Sequence, residues 1–515
     1  MLSRLQQLWQ FRGGLHLDEY KQSSTTAPIQ TIPLPAKLIL PLQQHLGHTA
    51  EAIVKKGDKV LKGQKIAEAT GYVSVPLHAP TSGTIIDIGD YPVAHPSAMK
   101  SSCIVIEPDG QDQWAEKQTI SDYKTLTPEQ IREIVSEAGI VGMGGAGFPS
   151  FIKLNPGEEK KVKTLILNGA ECEPYITCDD MLMREQAKNI IAGARIMLYS
   201  LQAERCLIGI EDNKPEAISA IQNAASAFSD ITVVAVPTLY PTGGEKQLIK
   251  VLTGLEVPSQ SLPGSIGIVC HNVATANAVY HAVILGEPSV SRIVTVAGDK
   301  VKTPRNLEVL IGTPFNDLIN ACDGLTDENT PLIMGGPMMG FRVHSSEAPV
   351  IKTCNCILAK EDQSHHEQHM PCIRCAKCAE ACPVNLLPQQ LYWYARAKDF
   401  DKAQDYKLFD CIECGCCDYV CPSHIPLVQY YRFAKTEIWV QEQDKQKSDI
   451  ARERHEFRQL RLEREKRERA ERHKQKQEAL NKSGDKDKKQ EAIQAALDRV
   501  KAKRESQQEN KNQES

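Results

Sequence analysis

The sequence predicts a chain of several domains, of mixed α/β and α+β class, rather than a single fold. At 515 residues the chain is longer than one typical domain and can bury several hydrophobic cores. Three observations carry this prediction: short strands and turns before residue 110, alternating helix and strand patterns from about residue 120, and nine of the 17 cysteines between Cys372 and Cys421. We expect these regions to form separate domains with different chemistry.

Composition argues against two kinds of binding. The net charge of −4 gives no basic field of the kind that binds nucleic acid. The longest stretch without Asp, Glu, Lys or Arg, Ser261 to Gly286, is interrupted by proline, histidine and asparagine, which suits a protein core better than lipid. We therefore expect no membrane span, and any membrane role must come through partners. The first ten residues show no secretory signal, so we expect a reducing compartment.

The N-terminal part divides into a leader and a β module. Residues 1–30 contain FRGGLHLDEYK (residues 11–21) and a Ser/Thr run, and we expect them to be extended. Residues 31–110 alternate apolar and polar side chains and turn at glycines. This pattern resembles the barrel-sandwich of biotinyl and lipoyl carrier domains. Those carriers hold their modified lysine at a hairpin tip, but the expected tip here, Gly71–Ser74, has no lysine, so we expect a structural module.

Residues 120–257 predict an α/β layer with a mostly parallel sheet, because helix and strand patterns alternate there. The apolar runs predict strands within residues 162–170, 204–212 and 230–238. Helices are predicted over Glu129–Ala138, Asp180–Ser200 and residues 214–228.

Three further regions follow. Residues 258–345 read as a small α+β unit that resembles the β-grasp ligand-binding module called SLBB. Residues 346–440 hold the cysteine-rich region, where the helical composition between the two cysteine blocks favours a mostly helical domain. In residues 441–515, 39 of the 75 residues are Asp, Glu, Lys or Arg, and this segment predicts either a solvated helix with i,i+4 ion pairs or a disordered tail.

The two cysteine blocks, CIRCAKCAEACP and CIECGCCDYVCP, each fit C-x2-C-x2-C-x3-C-P. Three thiolates at this spacing hold three corners of a [4Fe–4S] cube, and the fourth ligates the other cluster in two-cluster ferredoxins. The predicted ligands are therefore crossed: Cys372, Cys375, Cys378 and Cys421 on a first cluster, and Cys411, Cys414, Cys417 and Cys382 on a second.

Other uses of these cysteines fit less well. A structural zinc site takes four ligands from two pairs, without the repeated fourth cysteine and proline. Disulfides suit neither the tight spacing nor a reducing compartment. Cys416 is a spare thiol in its block, and we expect it to pack beside the cluster rather than bind iron. Cys354 and Cys356 form an isolated CxC pair, which we expect to be structural.

The segment GIVGMGGAGFPSFIKL (residues 139–154) is glycine-rich. Bare backbone N–H groups can cradle a phosphate, and Lys153 adds a positive charge. A glycine-rich turn alone does not identify a ligand. Polar residues in three later segments strengthen the case, the first of them just after a predicted strand, where α/β ligand sites lie: Asn168, Glu171 and Glu173; Tyr240, Gly243 and Glu245; and Asn272 and Thr275.

Together these segments resemble the flavin- and NADH-binding subunit of respiratory complex I and its hydrogenase relatives. That family reads GRGGAGFP with a following lysine, then NxxExEP, YxxGxExxLxxxLxG and NVxT, in the same order over residues 135–280. The resemblance implies an FMN phosphate held by Gly142, Gly144, Gly145 and Lys153. It implies a flavin lined by Asn168, Glu171, Gly243, Asn272 and Thr275, and a nicotinamide nucleotide faced by Phe148, Glu173, Tyr240 and Glu245.

Four departures from that pattern bear mostly on NADH: Met143 replaces an arginine, Ala170 an aspartate and Gly244 a glutamate, and Pro156 stands where a second aromatic ring would help stack adenine. We expect FMN binding to survive them better than NADH binding. The alternative is an α/β domain that keeps the fold without the cofactor.

The whole combination resembles the RnfC family of the Rnf electron transport complex over residues 10–435. FRGGLHLDEYK resembles that family's FxGGxHPxxxK, with Leu17 in place of proline. The resemblance implies a peripheral redox subunit on the cytoplasmic side of the bacterial inner membrane, bound to integral-membrane and iron–sulfur subunits. It would pass electrons between NADH, through FMN, and two [4Fe–4S] clusters, towards or from ferredoxin-linked partners. The alternative is an iron–sulfur relay or scaffold with a non-functional flavin and NADH site.

Overall fold

The computed structural model of the chain describes residues 8–157, 161–360, 369–482 and 486–511. The chain divides after Lys435 into two units. Within the described ranges no helix combines the length and the apolar run that crossing a bilayer requires.

The N-terminal segment is largely extended, apart from a 3₁₀ turn at Gln22–Ser24, and it runs along the surface of other domains. The Trp9 amide donates to the Val251 carbonyl, and Leu15 pairs with Tyr240 through two backbone hydrogen bonds. The segment ends in the first strand, β1 (Gln30–Thr31).

The next seven strands form the predicted barrel-sandwich: β2 (Leu38–Pro41), β3 (Glu51–Ala52), β4 (Lys59–Val60), β5 (Lys65–Glu68), β6 (Leu77–His78), β7 (Gly83–Pro92) and β8 (Lys100–Pro108). One sheet has the order β2-β8-β7-β4 and the other β3-β5-β6. Alternate residues of both sheets, such as Leu38, Ile66 and Ile104, enter one shared core. Tyr72, in the expected tip, packs edge-on against Phe151, so the tip contacts the next domain.

The α/β domain contains α1 (Pro128–Glu137), α2 (Ser150–Lys153), β9 (Thr164–Gly169), α3 (Cys178–Glu185), α4 (Ala187–Leu201), β10 (Arg205–Glu211), α5 (Pro215–Ala225), β11 (Ile231–Val236), α6 (Glu245–Thr253), β12 (Ile268–Asn272) and α7 (Val273–Leu285). Its sheet is parallel throughout, in the order β11-β10-β9-β12. Thr127 starts α1 with a capping box to Gln130, followed by proline at the first helical turn.

Two expectations for this domain are corrected. The helix predicted over Asp180–Ser200 is two helices, because Gln186 has non-helical backbone angles between α3 and α4. The predicted domain boundary after residue 257 is too early, because β12 pairs in parallel with β9 and α7 packs against α4. A boundary near residue 286 fits the sheet. Such pairing joins residues about a hundred positions apart, which no local pattern reveals.

The β-grasp region contains β13 (Ser291–Ala297), β14 (Arg305–Leu310), α8 (Phe315–Ala321), β15 (Leu332–Met334), β16 (Phe341–Val343) and β17 (Cys356–Ala359). Its sheet has the order β1-β14-β13-β17-β15-β16 and therefore includes the N-terminal β1. The strand β17 lies inside the region predicted as residues 346–440, so that predicted start is also too early. Cys354 and Cys356 are buried in this sheet, in agreement with a structural role.

The cysteine-rich region is mostly helical, as predicted, with α9 (Lys377–Glu380), α10 (Pro388–Ala397), α11 (Phe400–Asp405), α12 (Cys416–Tyr419) and the start of α13 (Leu427–Lys482). The helices α10 and α11 form the insert between the two cysteine blocks. In the second unit, the charged tail is helical over its described residues, in the rest of α13 and in α14 (Lys486–Lys511). Pairs such as Arg461–Glu465 are exposed and contribute little stability.

Candidate flavin and iron–sulfur sites

The eight cysteines selected by their spacing line two separate cavities. Cys372, Cys375, Cys378 and Cys421 line one, which we call the first cavity. Cys382, Cys411, Cys414 and Cys417 line the other, which we call the second cavity. Of the eight cysteines selected, each cavity thus takes three from one block and one from the other, and Cys416 also lines the second cavity. Four thiolates around one small space suit a [4Fe–4S] cube.

Both blocks bend through left-handed residues, which lets three successive cysteines face one point. In the first block Ala376 has φ 63°, and in the second Gly415 has φ 79°. Burial raises the pKa of the Cys411 thiol to about 11, although the nearby Lys435 ammonium opposes that shift. A buried thiol of this kind needs a bound metal to stay deprotonated.

The glycine-rich turn lies against the start of α7. The Gly142 amide donates to the Phe148 carbonyl at 2.8 Å, and the Met143 amide donates to Thr275 Oγ1 at 3.0 Å. Gly144 and Gly145 are exposed, and a Cβ added at Gly145 would meet no atom within 4 Å. The turn therefore presents open backbone at the N-terminus of a helix, where a phosphate binds readily.

The polar residues predicted to line the flavin meet at the carboxyl ends of β9 and β12. Asn168 Nδ2 donates to the Gly243 carbonyl at 2.8 Å. Asn272 caps α7 by accepting from the Ala274 amide at 2.8 Å, and its amide nitrogen donates to Asp179 Oδ2 at 2.6 Å. Five predicted residues are thus brought to one edge of the sheet: Asn168, Glu171, Gly243, Asn272 and Thr275.

Glu171 lies at the N-terminus of α3, in a left-handed conformation with φ 52°. Its carboxylate accepts from the Asp179 amide at 2.6 Å and from the Asp180 amide at 3.2 Å. Burial raises the pKa of Glu171, and the nearby Lys21 ammonium opposes the rise. The carboxylate therefore occupies the positive end of the helix rather than pointing freely to solvent.

Lys153, predicted to hold phosphate, is already paired. Its Nζ lies 2.6 Å from Glu245 Oε1 and 3.1 Å from the Cys270 carbonyl oxygen. Both side chains are about one-third exposed. A phosphate at the glycine turn would therefore compete with Glu245 for this lysine. Phe148 is half-buried at the end of the same turn.

Tyr240, predicted to face a nicotinamide nucleotide, lies against the cysteine domain in this structure. Tyr240 is 3% exposed, and its hydroxyl donates to the Cys414 carbonyl at 2.6 Å. It packs with Cys172, Ala381 and Cys416. We call the loops after β9 (residues 170–177) and after β11 (residues 237–244) the flavin-side loops. Tyr240 thus fills the contact between these loops and the second cavity, because the cysteine domain folds against the second of them.

Glu173 is covered by the β-grasp region. Its carboxylate accepts from the Met338 amide at 3.1 Å and from the Met339 amide at 2.8 Å. Burial raises the pKa of Glu173 to about 7, although both hydrogen bonds oppose the rise. A Cβ on Gly336 would overlap this carboxylate, so the glycine allows the loop to lie this close.

Sequence reasoning missed three buried cations around this site. Lys21 Nζ donates to the carbonyls of Glu171, Glu173 and Ile176. Behind the glycine turn, Arg292 donates to the Met143 carbonyl and Lys352 to the Gly139 carbonyl. Lys21 corresponds to the lysine that ends the motif FxGGxHPxxxK, and this was the signal that could have identified it. Its hydrogen-bond partners, however, lie about 150 residues away in the chain.

Family models match four regions of the chain. They describe an RnfC barrel-sandwich hybrid domain over residues 9–111, a Nuo51 FMN-binding domain over 135–281, an SLBB domain over 293–342 and a 4Fe–4S dicluster domain over 371–425. These domains confirm the predicted fold class. They also confirm the predicted cofactors at the level of the domain: two [4Fe–4S] clusters and FMN.

Two relatives are both named as the C subunit of an ion-translocating oxidoreductase complex. The protein of Haemophilus influenzae (strain PittEE) is 48% identical over 89% of this chain and 70% of its own length. The protein of Vibrio cholerae serotype O1 (strain ATCC 39541) is 48% identical over 98% of this chain and 66% of its own length. The chain therefore spans about two thirds of the length of these relatives.

A solved NAD⁺-reducing [NiFe]-hydrogenase in the H2-reduced state aligns with 59% of this chain and 61% of its own, at a TM-score of 0.44 and 20% identity. The family of this chain is identified by the two long matches to curated relatives and by the RnfC barrel-sandwich domain. The chain belongs to the RnfC family, the C subunits of ion-translocating oxidoreductase complexes.

Proposed function

We propose that the chain passes electrons between NADH, through FMN, and two [4Fe–4S] clusters, towards or from ferredoxin-linked partners. The observation that carries the proposal is the contact between the flavin-side loops and the second cavity. There the Tyr240 hydroxyl donates to the Cys414 carbonyl at 2.6 Å, and Cys172, beside Glu171, packs in the same cluster. A flavin site and a cluster site whose lining residues are in contact can exchange electrons without a further carrier.

The residues present fit an FMN phosphate. Gly144 and Gly145 offer exposed backbone, and Asn272 and Thr275 lie beside them at the start of α7. Lys153 would turn from Glu245 to the phosphate, while Asn168, Glu171 and Gly243 would line the flavin. When bound, FMN supplies the conversion between two-electron hydride chemistry and single-electron steps.

The cluster ligands are proposed as the two cavities group them. Cys411, Cys414, Cys417 and Cys382 hold the cluster of the second cavity, and Cys372, Cys375, Cys378 and Cys421 hold that of the first. The second cavity contacts the flavin-side loops, whereas the first includes the exposed Cys375. Electrons from NADH would therefore reach the second cluster first and leave through the first.

The NADH site would use three of the four residues predicted for it, Phe148, Glu245 and Glu173. Phe148 offers a half-buried ring, and Glu245 and Glu173 offer carboxyl groups that orient the nucleotide. Burial raises the pKa of Glu173 to about 7, so this carboxyl can stay neutral beside a bound dinucleotide at lower pH.

The partners proposed are the integral-membrane and iron–sulfur subunits of the same complex, with the chain on the cytoplasmic side of the bacterial inner membrane. The relatives' names describe a component of a complex, which supports a multi-subunit assembly. Since the described residues hold no helix that could span a bilayer, attachment would come through those partners. Nucleic acid is not among the proposed partners.

A second candidate is an iron–sulfur relay with a non-functional flavin and NADH site. Two observations favour it. Lys153, expected at the phosphate, is paired with Glu245, and Tyr240, expected at the nucleotide, is buried against Cys414. In this case the cavities would pass electrons between two partner proteins.

Anaerobic cofactor analysis of the purified chain with an NADH titration separates the two candidates. The first predicts iron and sulfide for two clusters, FMN released on denaturation, and bleaching of the flavin absorbance by NADH. Iron and sulfide without flavin would leave only the relay. Flavin that NADH does not reduce would remove NADH from the proposal while keeping FMN.

A further inference from the structure

The N-terminal motif FRGGLHLDEYK contacts both the flavin-side loop and a proposed cluster ligand. At its C-terminal end, the buried Lys21 Nζ donates to three backbone carbonyls, those of Glu171 at 2.8 Å, Glu173 at 2.9 Å and Ile176 at 2.6 Å. These three bonds use all the donors of an ammonium group. One side chain therefore holds the loop that carries Glu171 and Glu173.

The glycine pair of the motif approaches the second cavity. Gly13 has φ 70°, and a Cβ there would lie 2.7 Å from the carbonyl oxygens of Ala381 and Cys382. The Gly14 amide donates to the Ala381 carbonyl at 3.0 Å. Only glycine allows this approach, because any side chain would meet the backbone of Cys382.

Between these points the segment is anchored on the α/β domain. Phe11 is buried in the core beneath α6, and Leu15 pairs with Tyr240 through hydrogen bonds of 2.8 and 2.9 Å. Tyr240 in turn donates to the Cys414 carbonyl. The motif thus contacts the flavin-side loop, the Cys382 backbone and the tyrosine between them.

We propose that residues 11–21 form a strap that fixes the Glu171–Ile176 loop relative to the Cys382 segment, and so sets the spacing between flavin and the second cluster. Gly13 and Lys21 are its positioning residues. Because electron transfer slows steeply as two cofactors move apart, a strap that keeps this spacing keeps the transfer fast. The inference rests on the proposed function, since it needs both FMN and the second cluster in place.

The strap can be tested with Gly13→Ala in the anaerobic holo chain, with Gly110→Ala as its control. Gly110 has a similar φ of 77° but meets no atom within 4 Å, so it reproduces the backbone strain without the contact. We expect Gly13→Ala to slow reduction of the second cluster by photoreduced flavin at least tenfold and to change that cluster's EPR signal. The FMN content and the first cluster should match those of Gly110→Ala.

The other end of the strap is tested by Lys21→Met, with the exposed Lys188→Met as control. We expect at least tenfold weaker FMN retention, with both clusters still present, and partial rescue by Lys21→Arg, which keeps the charge. If Gly13→Ala does not fold, Lys21→Met and its control are sufficient to test the strap.

Transfer rates, EPR signals and FMN retention equal to those of the controls in both variants would overturn the strap. Loss of both clusters together with FMN in folded Lys21→Met would also overturn it, because the segment would then support the whole body. Absence of FMN or of a cluster from the unmodified chain would instead overturn the proposed function.

Discussion

The two cysteine cavities have nearly the same sequence but different surroundings. In the second cavity Cys382, Cys414 and Cys417 are all buried, and Tyr240 and Cys172 pack nearby. In the first cavity Cys375 is exposed and no cysteine is fully buried. Met370 and Ile373, close to Cys372 and Cys375 in the sequence, are exposed as well. A duplicated motif thus supplies two similar sites, and packing gives them different neighbours.

The difference indicates how one motif can serve two roles. Cluster potentials depend on hydrogen bonds and solvent exposure, and both differ between the cavities. The second cavity lies against the flavin-side loops, which suits an internal carrier. The first includes the exposed Cys375, which suits exchange with a partner.

The largest effect is expected from removing the crossed ligands. Cys382→Ala should lose the cluster of the second block, and with it reduction of the remaining cluster by flavin. Cys421→Ala should lose the cluster of the first block and leave transfer from flavin to the other intact. Each variant should keep about half of the iron, and EPR identifies which cluster remains. Loss of the first-block cluster in Cys382→Ala would show that the ligands are not crossed.

The next effect concerns pH, because the pKa of Glu173 is raised to about 7. Below that value the carboxyl is neutral, and above it the carboxylate adds a negative charge near the flavin and the second cluster. The second cluster's potential should therefore fall as pH rises through about 7, while the first cluster's should not. Glu173→Gln should remove the difference, measured by EPR-monitored redox titration on either side of that pH. An equal pH dependence of both clusters would contradict this prediction.

Much of the cluster site was predictable from the sequence, because iron–sulfur ligation depends on local spacing. The x2, x2 and x3 gaps alone grouped the eight cysteines as the two cavities do. The mostly parallel sheet of the α/β layer was predictable too for β9, β10 and β11, since each of these strands has its own apolar run, whereas the place of β12 was not. The glycine turn and the N-terminal caps of α1 and α7 likewise depend on residues that are close in the sequence.

What sequence reasoning missed depends on residues that are distant in the chain. The leader was predicted as extended, but nothing local shows that Lys21 lies under the carbonyl of Glu171. Tyr240 was placed by family pattern at the nucleotide, whereas packing of the cysteine domain turns it to Cys414. The β-grasp boundaries failed for the same reason, because β1 and β17 join that sheet across long loops.

A smaller effect is expected from Tyr240→Phe, which removes one hydroxyl at the contact between the flavin-side loops and the second cavity. The buried Cys414 carbonyl would lose its 2.6 Å donor, which costs roughly 1–3 kcal/mol of stability. The second cluster's potential should shift and the first cluster's should not, because only the second has this hydrogen bond beside a ligand. Tyr419→Phe, at a 65% exposed tyrosine in the second block, is the control. Equal shifts in both variants would mean that the Tyr240 hydroxyl has no special role.

The smallest effect is expected from Cys416→Ala, beside the proposed ligand Cys417. Both residues line the second cavity, and Cys416 is fully buried, so exposure does not distinguish them. The spacing does: the x2 gap after Cys414 and the x3 gap before Cys421 select Cys417. Cys416→Ala should keep all the iron and lose only about 1 kcal/mol of packing, whereas Cys417→Ala should lose the second cluster. The reverse result, by iron and sulfide analysis, would assign the ligand to Cys416 and show that packing, rather than spacing, chooses the third thiolate of the second block.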